Sequence, residues 1–319
     1  MDRLPTFRTP LVLASAQLPR DTTTEVVQAK TPAREAALEF WRRRNTVLDA
    51  FFYDLKVIDP AEAASLAPWL AREGALLVVP PSGGGMLHLC PSLDEFAARG
   101  GGGTRILAVA GVGSSALGTA AFARNVADAF GEPVAALVSG YGLADLLTEA
   151  LGGWFWFGTL NRMRHAFEQI DEFARGGASD LRLSAPPNVA RASLDTRTLC
   201  ALLTDRRFRF GLLTGHSKGN LVISEALYAL RDAQADAHLA EIGIVTVSAA
   251  IAMPPRYRKI VDVMGEADWF GAMNSNLAIG VEYRPKHAWH HTNTELAWHL
   301  PVQEVMSALR RERGTALLH

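Results

Sequence analysis

From residue 75 onward, short unbroken apolar runs recur along the chain: ALLVVP, MLHLC, RILAVAG, PVAALVSG, RFGLLTG, IGIVTVSAAIA, RKIVDVMG and LAIGVEYRP. They lack the polar alternation of a strand with one wet face, so each predicts a strand buried on both sides. The segments ALGTAAFARNVADAFG, NLVISEALYAL and PVQEVMSALRRER predict helices, and in the second Ile223, Ala226, Leu227 and Leu230 recur at helical spacing. Strands separated by helices predict an α/β fold, a mostly parallel sheet covered on both faces. PSGGG between the first two runs predicts a hairpin turn.

Residues 1 to about 30 are polar and read as an extended arm. Two helix starts follow. Thr31 caps TPAREAALEFWRRRNTVLDAFF with Pro32 at its first position, and Asp59 caps DPAEAASLAPWLAREG with Glu62 three residues on. Pro68 bends or ends the second helix. Ser92 and Glu95 frame a third, shorter helix. Residues 1–74 therefore read as an arm with a helical extension, and 75–319 as the sheet domain. Within that domain, 141–205 reads as an insertion carrying Trp154, Phe155, Trp156 and Phe157, with Tyr141 and Asn161 nearby. Four consecutive aromatics on a helix point in every direction, so this stretch reads equally as pocket wall and as core.

Composition narrows the function. The formal net charge is −1, from 32 basic and 33 acidic residues, so no field of one sign is available to hold nucleic acid. The cluster Arg42-Arg43-Arg44 reads as a solvated helix face. The two cysteines, Cys90 and Cys200, read as buried thiols in a reducing compartment. No apolar run approaches the roughly 18 residues of a membrane span. PLVLASAQ is too short for a signal peptide, and Asp2 stands where such a peptide carries positive charge. The expectation is a cytoplasmic protein.

The candidate chemistry sits in Gly215-His216-Ser217-Lys218-Gly219. A chain with 27 glycines meets Gly-x-Ser-x-Gly by chance roughly 0.1 times, so context must decide. A nucleophile elbow needs a strand before the serine, a helix after it, and glycines two residues to either side where side chains would collide. An apolar strand precedes Gly215 and a helix follows Gly219, so both conditions hold.

On these residues the chain resembles the α/β-hydrolase superfamily, and is most similar to lipase-like and esterase-like members whose elbows read Gly-His-Ser-x-Gly. The resemblance covers about residue 75 to the C-terminus. It implies an α/β-hydrolase-type sheet with a cap inserted at about 141–205, and a catalytic triad in the order Ser, Asp, His. Ser217 then attacks a carboxylic ester. Asp268 is the acid, just past a strand and in a Gly-x-x-Asp arrangement after Gly265. Asp262 lies within that strand, where it points into a packed layer or is a paired core residue, and Glu266 is a weaker rival. His290 and His291 both sit on the loop before the final helix; His291 is preferred because the polar TNT after it suits an open loop end, and His290 remains the alternative. The resemblance also places oxyanion donors at the backbone of Lys218 and of Val112 or Gly113. Trp154, Trp156 and Phe157 become candidates for a wall against an apolar acyl group. No cofactor or metal is implied. The histidine cluster otherwise reads as surface residues or an adventitious metal patch; no cysteine joins it and no His-Glu-x-x-His occurs, so a dedicated metal site is not expected.

Two other readings stand. Gly111-x-Gly113-x-x-Ala116 resembles a dinucleotide fingerprint, but the next strand carries no acidic residue for the ribose. A hydrolase-fold protein that binds without catalysis is the other. The expected partner is a small-molecule or lipid-like ester; esterase, lipase, thioesterase and acyltransferase stay open, because water and other nucleophiles use the same acyl-enzyme.

Overall fold

The computed structural model describes residues 47–66, 74–111, 114–139, 194–276 and 278–314. Seven strands form one sheet: β1 (Leu76–Val79), β2 (His88–Cys90), β3 (Ile106–Val109), β4 (Val134–Leu137), β5 (Leu212–His216), β6 (Gly243–Val247) and β7 (Ile260–Val263). Their order across the sheet is β2-β1-β4-β3-β5-β6-β7. β4, β3, β5, β6 and β7 are parallel, while β1 runs antiparallel between β4 and the edge strand β2. This is the mostly parallel, helix-covered α/β sheet expected from the sequence, and the C-terminal ends of its parallel strands share one edge.

The unbroken apolar runs are explained by burial on both faces. Alternate residues of a strand belong to opposite cores. Leu77, Val79, Ile106 and Ala108 enter one core, and Leu76, Val78, Leu107 and Val109 enter the other. The first core is closed by α3 (Ala116–Phe130) and α7 (Val302–Arg313), together with Tyr53, Ile58 and Leu66 from the N-terminal segment. The second is closed by α2 (Leu93–Ala98), α4 (Leu194–Thr204) and α5 (Lys218–Asp232). Cys90 and Cys200 are both free and buried, as read from sequence.

The helix signals act as expected where they are described. Residues 47–52 are helical, and α1 spans Pro60–Leu66. Asp59 Oδ1 accepts from Ala61 N while Glu62 Oε2 accepts from Asp59 N. Ser92 accepts from Glu95 N at the start of α2. Pro68 and residues 140–193, with Tyr141, Trp154, Trp156, Phe157 and Asn161, lie outside the described residues. The tail of the expected insertion is α4, with Leu199, Leu202 and Leu203 in the second core. Among the described residues one expected strand does not form: of LAIGVEYRP, whose Leu277 lies outside them, the rest contributes a single parallel bridge, Val263 to Tyr283. Pro285 has no N–H to donate back to that ladder, although its carbonyl still accepts from Glu266 N at 2.9 Å.

Candidate active site

The elbow is built by a close approach of backbone to backbone. β5 delivers Ser217 at its C-terminal end, and α5 begins at the next residue. Ser217 has φ 51° and ψ −117°, a conformation that L-residues avoid and that is held by its surroundings. Ser217 N donates to Val247 O at 2.8 Å, and Asn220 Nδ2 bridges the carbonyls of Val247 and Ala249. A Cβ on Gly219 would overlap the Val109 carbonyl, and one on Gly215 would overlap Asn220. The glycines are needed because α5 turns directly against β3 and against its own first turn.

Two further residues meet Ser217. His290 Nε2 lies 3.0 Å from Ser217 Oγ. Its other nitrogen, Nδ1, lies 3.0 and 3.1 Å from Asp268 Oδ1 and Oδ2. In the neutral ring Nδ1–H donates to the carboxylate, which leaves the Nε2 lone pair to accept the Ser217 hydroxyl. Asp268 is held in turn, because Oδ1 accepts from Gly271 N at 2.6 Å and so caps α6 (Trp269–Met273). Asp268 and His290 are both buried, so solvent does not compete for the pair. Phe270 stands edge-on to the His290 ring at 4.3 Å, and Phe52 at 6.0 Å.

The preference for His291 is corrected. His291 Nε2 donates to Ala297 O at 3.1 Å, and its ring packs on Phe51 and Trp289. The two consecutive side chains thus take different partners, His290 meeting Ser217 and His291 meeting Ala297 O. The premise also fails physically, because TNT is not an open loop end. Thr292 N and Oγ1 donate to Phe52 O at 2.7 and 3.0 Å, Asn293 Nδ2 to Ala50 O at 2.6 Å, and Thr294 Oγ1 to Asp54 Oδ2 at 2.5 Å. The rival acids stay apart from the site. Asp262 is buried and paired with Thr246, and Glu266 is exposed and accepts from His287 N.

Gly111 opens the loop after β3, and a Cβ there would lie 3.0 Å from Ser217 Cβ. This puts Gly111 beside the serine. Gly111's own N–H is taken by the Tyr53 hydroxyl at 2.7 Å. Val112 and Gly113 lie outside the described residues. Lys218 N is the first amide of α5, directly after Ser217.

The N-terminal segment enters this region through residues that sequence reading missed. Tyr53 and Asp49 are buried. Asp49 accepts from Ser115 N at 3.1 Å and from the Ser115 hydroxyl, and it lies against Gly118. Burial pushes the Asp49 carboxyl up to about 7, against the hydrogen bonds from Ser115 and Gly118. The start of α3 is where a dinucleotide pyrophosphate would have to sit, and there the chain supplies its own carboxylate. His216, inside the elbow motif, is held down to about 3 by burial and stays neutral. No sequence signal marked Tyr53 or Asp49. His216 was visible only as a letter of the motif.

Among the described residues no group of three or more His, Cys, Asp or Glu could hold a metal ion. Among them too, no helix is long and apolar enough to cross a membrane.

No family model matches the chain, and no curated protein matches it. A solved structure, a hyperthermophilic esterase from the archaeon Pyrobaculum calidifontis, is similar at 12% identity and a TM-score of 0.39, over 93% of this chain and 96% of that one.

Proposed function

We propose that this chain is a serine hydrolase of the α/β-hydrolase type acting on a carboxylic ester. The observation that carries the reading is the unbroken line from Asp268 through His290 to Ser217, on a strand–turn–helix elbow. Ser217 Oγ attacks the ester carbonyl carbon while its proton passes to His290 Nε2. Asp268 holds the ring with Nε2 toward the serine and stabilises the imidazolium. The tetrahedral intermediate carries negative charge on oxygen, and Lys218 N with a donor from the Val112–Gly113 stretch receives it. Collapse breaks the bond to the alkoxy oxygen, which leaves as the alcohol with the proton from His290. Water then attacks the acyl-enzyme, gives its proton to His290, and the acid departs as the proton returns to Ser217. Phe52, Phe270 and Trp289 around His290 support an apolar acyl or aryl group.

The test is labelling by a fluorophosphonate probe, wild type beside Ser217→Ala, followed by a chain-length series of p-nitrophenyl esters. Labelling of the wild type alone is the expected result. A folded wild type that stays unlabelled overturns the hydrolase reading in favour of a binding protein.

A further inference from the structure

Three parts of the proposed machinery come from distant stretches of chain: the loop after β3, the elbow and the loop bearing His290. A single buried network joins all three. Gly111 N–H donates to Tyr53 Oη at 2.7 Å, and Tyr53 Oη lies 3.1 Å from His216 Nδ1. His216 Nε2 lies 2.9 Å from the His290 carbonyl oxygen.

The directions of these bonds follow from the donors available. A carbonyl only accepts, so the bond to His290 O requires a proton on His216 Nε2. Burial keeps His216 neutral, so Nδ1 has a lone pair and the Tyr53 hydroxyl must donate to it. The phenol keeps its proton because burial raises it far above its ordinary range. Its oxygen is then free to accept from Gly111. Each member has one fixed role, and reversing any one bond would leave two donors or two acceptors face to face.

Resting on the hydrolase reading, we infer that Tyr53 and His216 are positioning residues that hold Gly111, the nucleophile and the base in register. Tyr53 fixes Gly111, the first residue of the loop beside Ser217. His216 fixes the backbone of the residue whose side chain takes the proton. Neither touches the substrate. Their effect is on the placement of groups that do, where a displacement of about 1 Å is enough to lower turnover on the order of 100-fold.

The test uses the full chain with three substitutions. Tyr53→Phe keeps the ring against Phe122 and removes only the hydroxyl. His216→Leu removes both nitrogens. His216→Gln places an amide N–H where Nε2–H stood, restoring the bond to His290 O without the one from Tyr53. Expected is a fall in kcat on the order of 10- to 100-fold for Tyr53→Phe and His216→Leu with KM little changed, and partial recovery in His216→Gln. The rate of fluorophosphonate labelling per folded molecule should fall in the same order. The low-field proton signal of His290 Nδ1–H should shift or broaden in the first two variants and return toward wild type in the third. Wild-type kcat and an unmoved His290 signal in Tyr53→Phe, with only a lower melting temperature, would reduce Tyr53 to a packing residue and overturn the inference. If the wild type is not labelled at Ser217, the hydrolase reading fails while the His290 signal still decides whether the network positions that ring.

Discussion

His290 and His291 are consecutive, yet only His290 reaches Ser217; His291 turns away and donates to the Ala297 carbonyl. This separates two substitutions that look alike in sequence. His290→Gln leaves no base beside Ser217 and should lower kcat/KM for a p-nitrophenyl ester by about 10⁴-fold or more. His291→Gln keeps an N–H for Ala297 O and should stay within a few-fold of wild type. Asp268→Asn, which favours the wrong tautomer of His290, should cost about 10⁴-fold. Equal losses at 290 and 291 would refute the geometry.

The elbow glycines make a prediction about folding. A methyl group at Gly219 would overlap the Val109 carbonyl, which is fixed in the middle of the sheet and cannot retreat. Gly219→Ala should destabilise by about 1–3 kcal/mol or more. Urea denaturation measures this, and an unchanged midpoint would mean that β3 and α5 are not packed so closely.

A second stability prediction concerns the pair Glu62–Arg124. Their side chains are 5% and 4% exposed and meet at 2.6 Å, and Glu62 Oε1 also accepts from Leu87 N. The pair ties α1 to α3 and to the β1–β2 hairpin. Glu62→Gln would leave the guanidinium buried without its counter-charge, at a cost of about 3–5 kcal/mol. Thermal unfolding should register it, while labelling of Ser217 in the remaining folded protein should be unaltered.

Asp49 and His216 make opposed contributions to the pH dependence of stability. Asp49 has an ordinary value of 3.8 and about 7 when folded. Between those values the folded state holds the proton more tightly, so Asp49 makes stability fall as pH rises from about 4 to about 7. Its full effect is on the order of 4 kcal/mol. His216 has an ordinary value of 6.5 and about 3 when folded, so it makes stability fall as pH drops below about 6.5. Asp49→Asn removes the first contribution alone. Against wild type, the variant should gain stability steadily from pH 4 to pH 7 and then level off. Parallel curves from urea titrations across this range would show that Asp49 does not titrate there.

Most of the fold was legible in the sequence because burial on both faces removes polar alternation, which a reader can see in RILAVAG and IGIVTVSAAIA. Ser217 was legible because the close contact of α5 with β3 demands glycines at fixed offsets. Asp268 was placed by its position past a strand end. What remained hidden depended on contacts far apart in the chain. Which of His290 and His291 faces inward is set by the tether of Thr292 and Asn293 to residues 50–52, and neither end of that tether advertises the other. Tyr53 lies 163 positions before His216 and carries no motif. Of the strand expected at LAIGVEYRP a single bridge forms among the described residues, and Pro285 has no N–H to donate back to that ladder.

The tether also sets when in the life of the molecule the site comes into being. Thr292 meets Phe52 across 240 positions, and Asn293 meets Ala50 across 243. A polypeptide is made from its first residue onward, so the segment around Tyr53 emerges early and waits for the loop that bears His290. A chain released before that loop has been synthesised lacks His290 and its anchor, and with them α7, which closes the first core. On the proposed reading, premature products of translation would therefore be inert towards esters, and Ser217 would meet its base only in molecules whose synthesis has passed the final loop.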